Sequence, residues 1–368
     1  MLCRASAALM RYLMAMGERV LVVGCGAIGG TIAALLTEHG AAEVVALSSN
    51  AAIAEAVRER GFRLRGREES RSIKGHIVSE LSDAKAPFRT IILATQPAQV
   101  EAAAREALPF LDAEGQVVVV QNGLPEERVA EVVGPGRVVG AILAFGASMP
   151  EPGVYERTSA GGITLGRMEP RTGPDPDLAA LSMLFECLGP TEIADNFRGA
   201  RWSKLAINCM ISTLGTLAGL RLGEYIRSTR GRYLAFEIIT ETVEVARASG
   251  VTLEKVSGTL DLEWLALTDA ERRGERPASM AAKHAMLLAV GARYRRLRSS
   301  MLAAIERGRE PAVDFLNGEV VTRGEALGIP TPVNARAVEM VHDLAAGRRE
   351  TGMHFVEELA RVSPRARL

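Results

Sequence analysis

The segment RWSKLAINCMIS, residues 201–212, sets a lysine, an asparagine and a serine four residues apart in an otherwise apolar stretch. In an α-helix this spacing places Lys204, Asn208 and Ser212 along one face. Reduction of a carbonyl by hydride needs a proton donor, and a lysine whose pKa is lowered by desolvation can serve as one. Alternatively, Lys204 lays its stem along the helix surface and keeps its ammonium in water. Because buried polar groups need partners, the alignment favours a functional face.

A glycine-rich motif lies near the N-terminus, in RVLVVGCGAIGG. Gly24, Gly26 and Gly29 form a G-x-G-x-x-G pattern between a strand-like run and a helical run. The first glycine permits a tight turn, the second lets the backbone approach a pyrophosphate, and the third lets helix and strand pack closely. A simple turn is the alternative, but the strand–turn–helix context favours dinucleotide binding. The predicted binding loop is Gly24, Cys25, Gly26, Ala27, Ile28 and Gly29.

The end of the second strand-like run bears on the choice between NAD and NADP. It reads Ser48, Ser49, Asn50, with neither the carboxylate that would bind ribose hydroxyls nor an arginine that would attract a 2′-phosphate. Hydroxyl and amide groups can hydrogen-bond a phosphate, so NADPH is favoured over NADH. Capping of the following turn by these side chains is the alternative interpretation.

Apolar, β-branched runs alternate with helical stretches from Glu18 to about Leu165, which predicts a doubly wound parallel sheet. We expect residues 152–166 to form an antiparallel hairpin at the sheet edge. Beyond about Asp195 the periodicity is helical. The predicted fold is therefore an α/β Rossmann-type doubly wound sheet followed by an all-α C-terminal domain. The expected boundaries are 1–17 for an N-terminal extension, 18–193 for the Rossmann domain, 194–350 for the helical domain and 351–368 for a tail.

Composition limits the class of protein. The 44 basic and 44 acidic residues cancel, and no apolar run approaches the length of a membrane span, so neither nucleic acid nor membrane is an expected partner. Four scattered cysteines without C-x-x-C spacing and five dispersed histidines argue against a disulfide framework and a metal site. The first residues do not resemble a signal peptide, and Met14 or Met16 is an expected natural start. These features predict a cytoplasmic protein.

Loops at the carboxyl ends of parallel strands are where ligands bind in open α/β sheets. Two such loops are ATQPAQV, which contains Gln96, and VQNGLPEE, which contains Asn122. Asn122 could place an amide near a nicotinamide. An ordinary Asn-Gly turn is the alternative.

Several motifs together resemble the ketopantoate reductase family, over essentially residues 18–345. They occur in the family's order and rough spacing: GCGAIGG, QNG, WSKLAINCMIS, RSSML and DFLNGEVVTRGEALGIPTPVN. The resemblance implies an NAD(P)-dependent oxidoreductase acting on CH–OH groups, with a small-molecule 2-oxo acid as its partner. Members reduce 2-dehydropantoate to pantoate with NADPH, in pantothenate biosynthesis, at an active site between a Rossmann and a helical domain. A homodimer is an assembly that the sequence allows.

The resemblance also implies residue roles. Lys204 matches the catalytic lysine, which donates the proton to the ketone oxygen. Asn122 matches the asparagine beside nicotinamide and substrate, and Asn208 the first of two helix asparagines that face the substrate. Ser300 matches a serine that helps to hold the substrate carboxylate.

Departures from the family pattern concern substrate and cofactor. Ser212 replaces the second helix asparagine, Ala304 an acidic residue, and Ala312 the glutamate that contacts the substrate hydroxyl and supports the lysine. Ser49 and Gln96 occupy the places of basic residues associated with the 2′-phosphate. We therefore expect reduction of a small 2-oxo acid, with ketopantoate one candidate. The alternatives are a divergent dehydrogenase for another small hydroxy or oxo acid, and a non-catalytic dinucleotide-binding sensor.

Overall fold

The computed structural model describes residues 18–66, 70–256, 258–275 and 278–363. The expected extension over residues 1–17 lies outside them. The chain divides into two compact units. The first holds the described residues up to Gln121 together with Pro125–Phe197, and the second holds Asn122–Leu124 and the described residues from Arg198 onward.

The first unit is built on strands. In chain order these are β1 (Arg19–Val23), β2 (Glu43–Leu47), β3 (Phe62–Arg65), β4 (Ser70–Ile73), β5 (His76–Val78), β6 (Phe88–Leu93), β7 (Leu111–Val119), β8 (Val138–Leu143), β9 (Gly146–Glu151), β10 (Val154–Ser159), β11 (Ile163–Gly166) and β12 (Thr191–Ile193). The larger sheet has the order β12–β11–β8–β7–β6–β1–β2–β5. Its pairings from β8 to β5 are parallel, and β11 pairs antiparallel with β8.

Helices cover both faces of the larger sheet, and β1 shows why. Its side chains alternate between two hydrophobic cores, with Val20 and Val22 in one and Leu21 and Val23 in the other. Successive strand residues point to opposite faces, so a continuous apolar run is buried on both. The helices of this unit are α1 (Ala27–His39), α2 (Ala51–Arg60), α3 (Val100–Ala107), α4 (Pro125–Val133) and α5 (Pro176–Phe185).

A second, smaller sheet has the order β4–β3–β10–β9, and it corrects one expectation. Residues 152–166 do not form a hairpin, because β10 pairs antiparallel with β9 in this sheet whereas β11 pairs with β8 in the larger one. The chain crosses between the sheets at Gly161 and Gly162. A methyl group on Gly161 would lie 2.2 Å from the carbonyl oxygen of Ala144, so the close approach requires glycine.

The second unit is helical. Its helices are α6 (Phe197–Ala218, whose first residue belongs to the first unit), α7 (Leu222–Tyr225), α8 (Thr229–Ala248), α9 (Leu262–Leu265), α10 (Asp269–Arg272), α11 (Ala278–Arg293), α12 (Ser300–Ile305), α13 (Asn317–Leu327), α14 (Pro332–Ala345) and α15 (Phe355–Val362). A 3₁₀ turn, Ala312–Phe315, precedes α13. The predicted class, a Rossmann-type sheet followed by a helical domain, is confirmed.

The expected tail from residue 351 is wrong for the part that the structure describes. Phe355 and Leu359 are fully buried in the core of the second unit. Their spacing of four residues places both on one face of α15, which packs on α8 and α14. Among the described residues, no helix combines the length and the apolar character that crossing a membrane would require.

Candidate active site

The glycine loop joins β1 to α1 and has the geometry that its sequence predicts. Gly24 has φ +97°, and a methyl group there would lie 3.0 Å from the backbone of Ala94. A methyl group on Gly29 would lie 1.8 Å from the Gly24 carbonyl oxygen. Only glycine therefore fits at either position, since both lie against main-chain atoms.

The N-terminus of α1 is open at this loop. Gly26 is the N-cap, no side chain caps the helix, and a methyl group on Gly26 would meet nothing within 4 Å. The first N–H groups of a helix lack intrahelical acceptors and carry the positive end of the helix dipole. Ala27 and Ile28 form the first turn, so the loop offers backbone N–H groups to an anion. Burial raises the pKa of the Cys25 thiol to about 12, which leaves that residue a backbone role.

The positions expected near the adenosine ribose lie at the carboxyl ends of β2 and β6. Ser49 and Gln96 are exposed, and Ser48 is buried. Asn50 caps α2, because its side-chain oxygen accepts a hydrogen bond from the Ile53 N–H at 3.2 Å. The capping alternative therefore holds for Asn50.

Sequence reasoning missed a carboxylate at this edge of the sheet. Leu47 of β2 pairs with Val78 of β5, so Ser49 and Glu80 each follow their strand by two residues. Glu80 is exposed. Glu80 lies near the end of β2 because β5 is the edge strand that pairs with β2. The short run His76–Val78 did not indicate this strand. A carboxylate beside a ribose favours hydroxyls over a 2′-phosphate.

Lys204 lies on α6 and is half-buried. Burial lowers the pKa of its ammonium below the ordinary value, and the nearby Arg201 guanidinium lowers that pKa further. Among the described residues, no side chain or carbonyl hydrogen-bonds or ion-pairs with Lys204. A lysine held in this way has its proton available for transfer.

Asn208 and Ser212 follow Lys204 on the same face of α6, as the four-residue spacing predicts. The Asn208 side-chain nitrogen is shielded from solvent and has no hydrogen-bond partner within the described part of the chain. A buried amide left without an acceptor is costly, so this nitrogen is a candidate donor to a ligand. Ser212 is half-buried.

A buried polar network holds α6 in place. Thr213 donates to the Asn317 oxygen at 2.5 Å, and the Asn317 nitrogen donates to the Asn334 oxygen at 2.8 Å. The Asn334 side chain donates to Glu241 at 2.7 Å. That carboxylate also accepts the backbone N–H groups of Val333 and Asn334, which begin α14. Burial raises the pKa of Glu241 to about 7 despite these bonds.

Ser300 is brought to α6 by its neighbour. The Ser299 hydroxyl contacts the Ser212 carbonyl at 2.8 Å and the Thr216 hydroxyl at 2.7 Å, and it accepts the Leu302 N–H as the N-cap of α12. Ser300 follows as the first, exposed residue of that helix. Ser300 therefore directly follows a residue that is hydrogen-bonded to α6, the helix that carries Lys204.

Asn122 belongs to the second unit, although it lies only three residues after the end of β7 in the first. It is exposed, and the next residue, Gly123, has φ +97°, so the Asn-Gly turn is real. A methyl group on Gly123 would lie 2.4 Å from the Phe315 carbonyl oxygen, while Leu124 is buried in the helical core. Asn122 therefore lies beside the 3₁₀ turn that contains Ala312.

The two alanines at places where the family resemblance implies carboxylates are both half-buried, Ala304 on α12 and Ala312 on the 3₁₀ turn. Of their acidic neighbours, Asp314 bonds to His342 at 2.8 Å and is exposed, and Glu310 is exposed as well. Five predicted site residues thus lie on the second unit: Lys204, Asn208, Ser212, Ser300 and Asn122. The glycine loop, Ser49 and Gln96 lie on the first. Among the described residues, no group of three or more potential ligand side chains could hold a metal ion.

Two family models match the chain. A family model described as "Ketopantoate reductase PanE/ApbA" matches residues 20–170, and "Ketopantoate reductase PanE/ApbA C terminal" matches residues 196–345. The chain is 26% identical to a 2-dehydropantoate 2-reductase of Archaeoglobus fulgidus over 330 residues, which is 90% of this chain and 99% of that protein. It is 26% identical to the enzyme of that name from Pyrococcus horikoshii, over 86% of this chain and 94% of the relative.

Two solved structures share the fold. A PanE/ApbA family ketopantoate reductase from Ralstonia eutropha superposes with a TM-score of 0.74 at 24% identity, covering 90% of this chain and 100% of that one. A D-mandelate dehydrogenase, solved with NADH and anilino(oxo)acetate, also gives a TM-score of 0.74, at 19% identity, with 90% and 99% of the two chains covered.

Proposed function

The chain belongs to the ketopantoate reductase family, and we propose that it reduces a small 2-oxo acid to the 2-hydroxy acid with NADPH. Family members are oxidoreductases that act on CH–OH groups. When bound, the nicotinamide supplies a hydride to the carbonyl carbon. Lys204 transfers a proton from its Nζ to the carbonyl oxygen and regains one from solvent, which balances the reaction.

The uncommitted ammonium of Lys204 is the observation that carries the proposal. Burial lowers the pKa of this ammonium below its ordinary value, and Lys204 shares a helix face with Asn208, whose side-chain nitrogen has no hydrogen-bond partner among the described residues. Burial of such groups destabilises a fold unless a ligand uses them. We assign proton donation to Lys204, and substrate binding to Asn122, Asn208, Ser212 and Ser300.

The loop from Gly24 to Gly29 fits the proposed dinucleotide. Methyl groups on Gly24 or Gly29 would clash with main-chain atoms, so the loop packs tightly. The open N-terminus of α1 suits a pyrophosphate. Ser49 and Gln96 are the proposed contacts to the adenosine end, where they would hydrogen-bond a 2′-phosphate. NADH is the second candidate, because Glu80 at the end of β5 disfavours that phosphate.

The proposed substrate lacks the hydroxyl that the family glutamate contacts. With Ala312 at that place, ketopantoate would lose a hydrogen bond that a simple 2-oxo acid never makes. Ketopantoate itself remains a candidate, and so does another small hydroxy or oxo acid. A catalytically silent sensor is the competing function that Ala304 and Ala312 favour.

The test is NADPH oxidation, followed at 340 nm, against a panel of 2-oxo acids that includes ketopantoate. We expect turnover of at least one acid, with substrates that lack the hydroxyl preferred over ketopantoate. Silence across the panel, with retained NADPH binding, would favour the sensor. Titration of nicotinamide fluorescence with NADPH and NADH decides the cofactor, and tighter NADH binding would overturn the choice of NADPH.

Location and assembly are proposed from the sequence. Cys25, Cys187 and Cys209 are free thiols, in keeping with a cytoplasmic location. A homodimer is the proposed assembly. Light scattering of the purified protein would give its mass, and a monomer would overturn that proposal.

A further inference from the structure

Tyr155 connects the smaller sheet to the glycine loop. It lies on β10, is fully buried, and its hydroxyl donates to the carbonyl oxygen of Cys25 at 3.3 Å. Cys25 is itself buried in the centre of the loop. The two residues are 130 positions apart in the sequence. Their bond joins β10 of the smaller sheet to the loop that follows β1 of the larger sheet, within the first unit.

A glycine outside the three-glycine motif makes this contact possible. Gly30 follows Gly29 on α1, and a methyl group on it would lie 2.0 Å from Cε1 of the Tyr155 ring and 2.5 Å from the hydroxyl oxygen. The ring therefore occupies the space that any other residue at position 30 would fill. Phe62 lies on β3, which pairs with β10 in the smaller sheet. Its ring is close to that of Tyr155, with ring centroids 6.2 Å apart.

The hydrogen bond acts on one peptide group of the loop. The carbonyl of Cys25 and the N–H of Gly26 belong to the same planar trans peptide and point in opposite directions. Holding the carbonyl against Tyr155 therefore fixes the direction of the Gly26 N–H. That N–H belongs to the N-cap of α1, at the open helix end proposed to receive the pyrophosphate.

We infer that Tyr155 is a positioning residue for dinucleotide binding, which fixes the Gly26 N–H through the Cys25 carbonyl. Burial raises the pKa of Tyr155 above its ordinary value of 10.0, so the hydroxyl stays a donor throughout the physiological range. The inference rests on the proposed function, because it needs a dinucleotide at the glycine loop.

The experiment compares Tyr155→Phe with the wild-type chain by isothermal titration, with NADPH, ADP-ribose and adenosine 2′-monophosphate as probes. The first two carry a pyrophosphate and the third does not. We expect the variant to weaken NADPH and ADP-ribose about 5- to 10-fold, the effect of one lost hydrogen bond, and to leave adenosine 2′-monophosphate unchanged. Replacing Tyr155 by para-aminophenylalanine restores a donor and should restore affinity.

Tyr225→Phe is the matched control. Tyr225 is also a buried tyrosine, and its hydroxyl donates to the Ile211 carbonyl at 3.2 Å, in the other unit. It should lose comparable thermal stability with no change in the affinity of any probe.

Three results would overturn the inference: equal weakening of all three probes, no weakening of any, or a Tyr155→Phe chain that does not fold. The last would make the hydroxyl a general element of stability. Failure of the proposed function is distinct, because the wild-type chain itself would then bind none of the probes.

Discussion

Two lysines of the helical unit are set among apolar residues and differ in their burial and in their partners. Lys283 on α11 is buried, and its ammonium donates to Glu271 at 2.6 Å and to the Ala266 carbonyl at 2.7 Å. Lys204 on α6 is half-buried and has no such partner among the described residues. The ammonium of Lys283 is therefore bonded within the fold, and that of Lys204 is available for proton transfer.

The partner of Lys283 is equally well satisfied. Glu271 also accepts from the Ser279 hydroxyl at 2.8 Å and from the Thr268 N–H at 2.9 Å. Burial acts to raise the pKa of Glu271, but the bonds to Lys283, Thr268 and Ser279 hold it below its ordinary value. A buried charge with a complete set of partners is a structural element, whereas one without them is a candidate for chemistry.

Removal of the paired lysine should have the largest effect. Lys283→Ala leaves the carboxylate of Glu271 buried without its cation, which should lower the free energy of unfolding by about 3–5 kcal/mol. Urea unfolding measures this, and turnover per folded molecule should stay near the wild-type value. Arg273→Ala is the control, since Arg273 and Glu275 form an exposed ion pair worth at most about 1 kcal/mol. Equal effects of the two variants would refute a structural role for Lys283.

Removal of the lone lysine should produce the converse result. Lys204→Ala should lower kcat by about 100-fold or more, because the developing alkoxide loses its proton donor. The dissociation constant for NADPH and the free energy of unfolding should stay close to wild type. Steady-state kinetics and fluorescence titration measure these quantities. Turnover at the wild-type rate would remove Lys204 from the mechanism.

A smaller effect is expected when a carboxylate is introduced at position 312. Ala312→Glu introduces the glutamate that the family resemblance implies at this place, where it would contact the substrate hydroxyl and support the lysine. If ketopantoate is a latent substrate, its kcat/KM should rise about 10-fold, the value of one charged hydrogen bond. Ala312→Gln is the uncharged control and should give a smaller gain. No gain with glutamate would indicate a pocket remodelled for another acid.

Single secondary-structure elements and the turns between them could be predicted from residues that are close in the sequence. The strand–turn–helix around Gly24 and the single helix face of Lys204, Asn208 and Ser212 follow from neighbours in the chain. The fold class followed in the same way, from runs that alternate between strand and helix periodicity.

Contacts between distant residues could not be predicted in this way. The bonds from Asn317 to Thr213 and from Asn334 to Glu241 span 104 and 93 residues. The sequence around Lys283 does not reveal its partner, because Glu271 lies on another helix. The mistaken hairpin over residues 152–166 has a related cause, since β10 pairs with the preceding strand β9 and with the distant β3, whereas β11 pairs with β8.

The pH dependence of kcat/KM for reduction of the best 2-oxo acid tests the central claim most directly. Lys204 must be protonated to donate, so the rate should fall tenfold per pH unit above a pKa that lies below the ordinary 10.5. Oxidation of the product 2-hydroxy acid should show the opposite dependence, because Lys204 then acts as the base. In Lys204→Ala this dependence should vanish from the residual activity. The same break in the pH profile of that variant would contradict the assignment of Lys204 as the proton donor.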